Sequence, residues 1–261
     1  MRKRWIVAVV AAVCLVTEMV AAGPAAALPP STGQVAQVTD EEIAAYLDTV
    51  YSDLFGRPVD PSGETTWTAA LRSGTPRRAV ADAITGSDEF RTGLITDAYT
   101  SFLGRMPDAA GTAYWLQRMR EGLTIQQMEA GFLSSPEYWA AHGSIEILYV
   151  YGLYADVLGR EPSQGDASFW ARAISICGAR PGWNPGWSCI PRESVALQFL
   201  LSTERLATDL EADYQWLLGR SLDPSGSATW VHQLQSGVRY ETVVGSIIAS
   251  DEYWNLANSP E

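Results

Sequence analysis

Beyond residue 39, apolar side chains return every three to four residues along nearly the whole chain. No two-residue alternation competes with that period, so the spacing predicts helices and no strands. In YLDTVYSDLF, which begins at Tyr46, the residues Tyr46, Val50, Tyr51 and Leu54 share one helical face. Gly56 follows as a stop signal. Asp60-Pro61 then opens a second helix, with Asp as the cap and Pro in the first turn, where no N–H is needed. Trp67 and Leu71 lie four apart on one face of it, and Gly74 ends it. Val80 and Ile84 mark a third helix, and Ser87-x-Glu89-Phe90 starts a short fourth one with Ser as its cap.

The same succession occurs four times. Gly-Arg recurs at Gly56, Gly104, Gly159 and Gly219. Five positions before that Gly stand Tyr51, Tyr99, Tyr154 and Tyr214, and eleven after it stand Trp67, Trp115, Trp170 and Trp230. Fifteen after it come Leu71, Met119, Ile174 and Leu234. Apolar i,i+4 pairs recur as Met128/Phe132, Val195/Phe199 and Val243/Ile247. The Ser of Ser-x-Glu falls 31 positions after the Gly at Ser87, Ser135 and Ser250, but 43 after it at Ser202. The third copy therefore carries about twelve extra residues, in the stretch CGARPGWNPGWSC. The expected fold is all-α: four tandem repeats of about four short helices each, with units near 46–93, 94–143, 149–208 and 209–254 in a domain spanning 39–261. One such unit is marginal alone, so four are expected to bury shared faces as a stack or a paired assembly.

The N-terminus changes the picture of where this domain works. Arg2, Lys3 and Arg4 precede an apolar run from Trp5 to Val16, and Ala25-Ala26-Ala27 matches a cleavage site. Residues 1–27 read as a secretory signal peptide, too short in its apolar run to span a bilayer. Residues 28–38 read as a flexible Pro/Ser/Gly/Gln leader. The signal holds three of the 18 basic and one of the 30 acidic residues, leaving 15 against 29 and a net charge of −14. Such a chain is repelled by nucleic acid and by anionic membranes, and no further stretch is apolar enough to insert in a membrane. Cys14 departs with the signal, so Cys177 and Cys189 remain, and in an exported chain they read as a disulfide across the insertion.

The four units resemble the bacterial repeat domain of unknown function 4214. The stretches that carry the resemblance are YSDLFGRPVDPSGETTW with SDEF, YTSFLGRMPDAAGTAYW with SPEYW, YADVLGREPSQGDASFW with STER, and YQWLLGRSLDPSGSATW with SDEYW. The third departs, with Asp166 in place of the Gly and Arg205 in place of the closing aromatic. The resemblance implies an all-helical domain of exported or surface-associated bacterial proteins, and it implies no activity.

Arg57, Arg105, Arg160 and Arg220 recur together with Glu89, Glu137, Glu204 and Glu252. They read as structural ion pairs tying the first turn of each unit to its last helix, because an Arg fork suits a carboxylate and an active site rarely needs four copies. Asp60, Asp108 and Asp223 are candidate calcium ligands, but each loop offers a single carboxylate where the ion wants six to eight oxygens. Helix capping accounts for them, so no metal and no cofactor is expected. The repeated Tyr and Trp columns are expected in the core. No Gly-x-Ser-x-Gly, His-Glu-x-x-His or phosphate loop occurs. Trp183 and Trp187, on a pinned insertion, are the candidate ligand-binding residues; the alternative is that both rings fold back on the helices.

These readings converge on a secreted or envelope-associated, non-catalytic binding module whose partner is an extracellular glycan or protein. The alternatives are a structural spacer or assembly scaffold of the cell surface, and a cryptic glycan hydrolase using an Asp/Glu pair.

Overall fold

A computed structural model describes residues 38–175 and 190–259. Among these residues the chain forms fourteen α-helices and no strand. The first unit comprises α1 (Asp40–Phe55), α2 (Pro61–Arg72) and α3 (Arg77–Thr85). The second comprises α4 (Asp88–Leu103), α5 (Ala109–Arg120), α6 (Ile125–Leu133) and α7 (Pro136–Ala141). The third comprises α8 (Glu146–Leu158), α9 (Gln164–Ser175) and α10 (Arg192–Leu200). The fourth comprises α11 (Thr203–Leu218), α12 (Pro224–Gln235), α13 (Tyr240–Ile248) and α14 (Asp251–Ala257). None of these helices is long and apolar enough to cross a membrane.

Helix boundaries follow the cap chemistry. Thr39 and Glu42 form a capping box, so α1 begins six residues before the Tyr46 from which periodicity alone marks it. Asp60, Asp108 and Asp223 accept the amides of the next first turns, and Ser163 does so in the third unit. Gly56, Gly104, Gly159 and Gly219 end the first helices at φ between 65° and 67°, a conformation that disfavours a Cβ. The short fourth helix stands alone only as α7 and α14. In α4 and α11 the Ser-x-Glu turn runs straight into the first helix of the next unit, because no residue there takes positive φ; Gly93 stays within α4. After α7, Gly143 and Ser144 take positive φ (77° and 57°) and separate it from α8.

The units pair and close. α3 packs on α13 and α6 on α10, while α1 returns against α14, so the first unit meets the fourth and the second meets the third. The arrangement is thus the paired one, with its last helix seated on its first. Arg239, at the start of α13, reaches the Met119 carbonyl at 2.7 Å and shares the buried Glu241 carboxylate with Arg91. That network ties the fourth unit to the second. The third-helix pairs Val80/Ile84, Met128/Phe132, Val195/Phe199 and Val243/Ile247 are all buried, as is the whole Tyr column.

The Trp column differs from expectation: Trp67, Trp115, Trp170 and Trp230 are half-buried at the rim of the core. The indole N–H explains why. Trp67 and Trp230 donate to the Tyr51 and Tyr214 hydroxyls at 2.9 Å, which anchors the ring edge at the polar end of the tyrosine.

Candidate recognition surface on the third unit

Each repeat carries the same three-residue clasp of Arg, Glu and Tyr, with the Glu of the first and third at the start of the next unit's first helix. Arg57, Arg105, Arg160 and Arg220 grip Glu89, Glu137, Glu204 and Glu252 with two bonds apiece, Nε and Nη2 to the two carboxylate oxygens, at 2.5 to 3.0 Å. Each guanidinium also lies over the ring of Tyr51, Tyr99, Tyr154 or Tyr214, 5.0 to 5.2 Å from its centroid. The Arg forks hold the Glu137, Glu204 and Glu252 carboxyls below the usual carboxylate range. Both partners are then satisfied in mutual bonds, on the solvent-facing side of each unit.

The candidate calcium ligands are occupied as caps. Asp60 accepts from the Ser62 hydroxyl and from the Ser62 and Gly63 amides, which pull its carboxyl down to about 2. Asp223 repeats this with Ser225 and Gly226. Among the described residues no group of three or more His, Cys, Asp or Glu side chains is arranged to hold a metal ion. Cys177, Trp183, Trp187 and Cys189 lie outside the described residues, as do residues 1–27 and the leader up to Gln37. The base of their insertion is described: the Ile190 amide donates to the Ala173 carbonyl at 3.3 Å, so the chain returns to the end of α9 where it left.

A family profile described as domain of unknown function (DUF4214) matches residues 34–94, 92–142 and 210–257. The chain belongs to that family. No curated protein and no solved structure matches it. The matched DUF4214 ranges carry the first, second and fourth units, while residues 143–209, with the third, lie outside them.

That third unit keeps the Arg–Glu clasp of the three matched units but has a different surface. Leu148 stands where the other units have Ala45, Gly93 and Thr208, and Tyr151 stands where they have Asp48, Thr96 and Glu211. Both project outward, at 46% and 40% exposure, and Ile145 one turn before them is 47% exposed. The fold leaves the Tyr151 position free for a physical reason. Asp48 and Glu211 use it to accept the amides of Val59 and Leu222, but the third unit has Pro162 there, which has no N–H. Ile145 is likewise the N-cap residue of α8 and makes no capping bond, where Thr39 caps α1. Phe169, 53% exposed, replaces Thr66 and Thr229 and stands edge-on to Trp170; only Tyr114 of the second unit shares that character.

Beside this strip lies an open depression of 440 Å³, lined by Ala141, His142, Leu148, Tyr151, Arg160 and Glu161 among others. His142 forms its wall. The ring stacks on Tyr138 at 4.0 Å, its Nδ1 lies 2.9 Å from the Tyr138 carbonyl, and its Nε2 lies 3.2 Å from Asp156. Gly152 admits it: a Cβ there would lie 2.3 Å from the imidazole. Thr49 occupies the matching place in α1, where Thr39 replaces the histidine. Sequence periodicity missed this surface, since Leu148 and Tyr151 look like part of a core stripe. The signal that finds it is the column comparison, in which three units are small or polar where the third is apolar.

Proposed function

We propose that this chain is an exported, non-catalytic binding module of the cell exterior or envelope, and that its third unit recognises an extracellular glycan or protein. The observation that supports this is the exposure of Leu148, Tyr151 and Phe169 at columns whose other copies are mostly small or polar. Isolated exposed apolar residues mean little, but Leu148 and Tyr151 line one depression together at columns that the other units fill with small or polar residues, and this supports an interaction surface there. The signal-like N-terminus supports export, and export supports a Cys177–Cys189 disulfide pinning the insertion with Trp183 and Trp187 beside that surface in sequence. The net charge argues against nucleic acid and anionic lipid as partners.

The test is a pull-down against separated envelope glycan and protein fractions, with the parent, the double variant Trp183→Ala/Trp187→Ala, and Tyr151→Ala, beside thermal melts of each. Retention by one fraction that falls in the variants at unchanged melting is the expected result, since a desolvated aromatic hot spot carries about 2 kcal/mol or more. Equal retention with lowered melting would move the rings to a stapling role and favour the scaffold reading. Mass analysis of secreted material without reductant should show Cys177 joined to Cys189; two free thiols would remove the disulfide from the proposal.

A further inference from the structure

We infer that this chain exchanges its halves with a second copy of itself, through a hinge at residues 142–145. The first and second units form one half of the domain, the third and fourth the other. Within each half a shared helix, α4 or α11, joins the two units. Across the halves α3 packs on α13 and α6 on α10. Polar links cross the same boundary. Arg239 reaches the Met119 carbonyl, Arg78 donates to the Ser246 hydroxyl at 2.7 Å, and the Trp216 indole donates to the Asp53 carbonyl at 3.3 Å. Val80 and Ile84 of α3, with Met128 and Phe132 of α6, are buried in the closed domain. A half that parts from its mate loses the cover of α13 and α10. The surface shaped to restore that cover is the other half, in the same chain or in a second copy.

Two twin junctions join the halves. At one, Tyr138 of α7 donates to Asp156 of α8 at 2.8 Å, and a short peptide link runs between the two helices. At the other, Tyr253 of α14 donates to Asp53 of α1 at 2.7 Å across 200 residues of chain, with no direct link. The junction therefore assembles without a peptide link, and a second molecule supplies it as well as the same molecule does. The link is where the chain opens. At the boundaries within the halves, α4 and α11 run through unbroken, whereas residues 142–145 lie outside both α7 and α8. Gly143 and Ser144 take φ of 77° and 57° in succession, and Ser144 is the one non-glycine with positive φ among the described residues. A Cβ disfavours that conformation, so the closed turn is strained at Ser144 and an extended link is not. Short strained hinges invite exchange. Extended, four residues reach roughly 13 Å, which carries the chain from one paired body to its neighbour. The exchanged dimer keeps every inter-half contact of the monomer, so concentration and the hinge set its share.

The test unfolds the full chain in urea and refolds it at low and at roughly millimolar concentration, the effective concentration that a short link gives. Size-exclusion chromatography with light scattering then separates monomer from dimer. The parent is compared with Ser144→Gly, which relieves the turn, and with a variant lacking Gly143 and Ser144, which removes it. A third variant, Asp82→Cys/Gly245→Cys, marks the contact of α3 with α13. A Cβ on Gly245 would lie 3.7 Å from the Asp82 Cα, which suits a disulfide. The expected result is a dimer after concentrated refolding, several-fold scarcer in Ser144→Gly and predominant in the deletion variant. After oxidation, the dimer fraction of the cysteine variant should run as two joined chains on a denaturing gel without reductant, and its monomer fraction as one chain. The parent dimer is the control for its own cysteines. Monomer alone at both concentrations, in the parent and in the deletion variant, overturns the inference. So does a dimer whose new disulfide stays within one chain, because whole domains would then associate without exchange. An equal or larger dimer share in Ser144→Gly overturns it as well. If the deletion variant misfolds, the parent, Ser144→Gly and the cysteine pair still decide.

Discussion

Tyr253, in the last helix, donates its hydroxyl to Asp53 in the first at 2.7 Å, and so fastens the two ends of the domain to each other. The same bond occurs in mid-chain, where Tyr138 of α7 donates to Asp156 of α8 at 2.8 Å. The surroundings match as well. Tyr46 meets Tyr253 and Trp254, and Arg77 lies over Trp254; Tyr149 meets Tyr138 and Trp139, and Arg192 lies over Trp139. The closure of the domain is thus an internal junction of the repeat made without a peptide link.

Tyr253→Phe and Tyr138→Phe should therefore cost similar amounts, about 1–2 kcal/mol each, because each strips a carboxylate of a hydroxyl donor in a part-buried site. Urea midpoints at an unchanged slope are the measurement. A neutral Tyr253→Phe beside a costly Tyr138→Phe would mean that the ends do not carry the closure.

Burial separates two neighbours on α5. Met119 is fully buried and Trp115 is half-buried at the rim. Met119→Ala should cost about 2–5 kcal/mol, and Trp115→Ala should cost less, despite removing the larger side chain. The reverse order in thermal or urea melts would place the tryptophan column in the core after all.

The Arg105–Glu137 fork is solvent-facing, with both side chains 45% exposed. Arg105→Ala should lower stability only slightly, because an exposed pair is screened by water and the ring contact with Tyr99 is small. Binding to any envelope fraction should be unaffected. Lost binding at an unchanged midpoint would turn the clasp into a ligand site.

Acid should weaken the fold in a defined window. Glu137, Glu204 and Glu252 are held low by their arginines, and Asp60 is drawn to about 2 by the Ser62 hydroxyl first and the Gly63 amide next. Their folded values lie below the unfolded ones, so their stabilisation is complete above the ordinary carboxylate range and is lost as pH falls from about 4.5 towards 2. Asp53, pushed up by burial, works weakly in the opposite sense. At the alkaline end, burial pushes Tyr46 up to about 12, so its share is present below about pH 10 and is lost as pH rises through 12. A melting profile from pH 2 to pH 12 checks both limbs, and a flat acid limb would contradict the cap and clasp assignments.

The sequence by itself determined the local rules. Cap residues such as Thr39 and Asp60, left-handed glycines such as Gly56, and i,i+4 pairs such as Val80 and Ile84 act within a few residues, so helix type, helix order and the fourfold repeat are legible in one dimension. The pairing of each Gly-Arg arginine with its Ser-x-Glu glutamate was legible too, because the repeat fixes their separation and the structure sets them in contact. Only the tertiary structure decided how the units close, because Tyr253 and Asp53 are 200 residues apart and no local preference links them. It also decided which apolar residues face water. Tyr149 and Tyr151 are two residues apart in one helix and look alike in composition, yet the first is sealed under Trp139 and the second is not. What covers a helix face is another helix, and its position is a property of the assembled repeat.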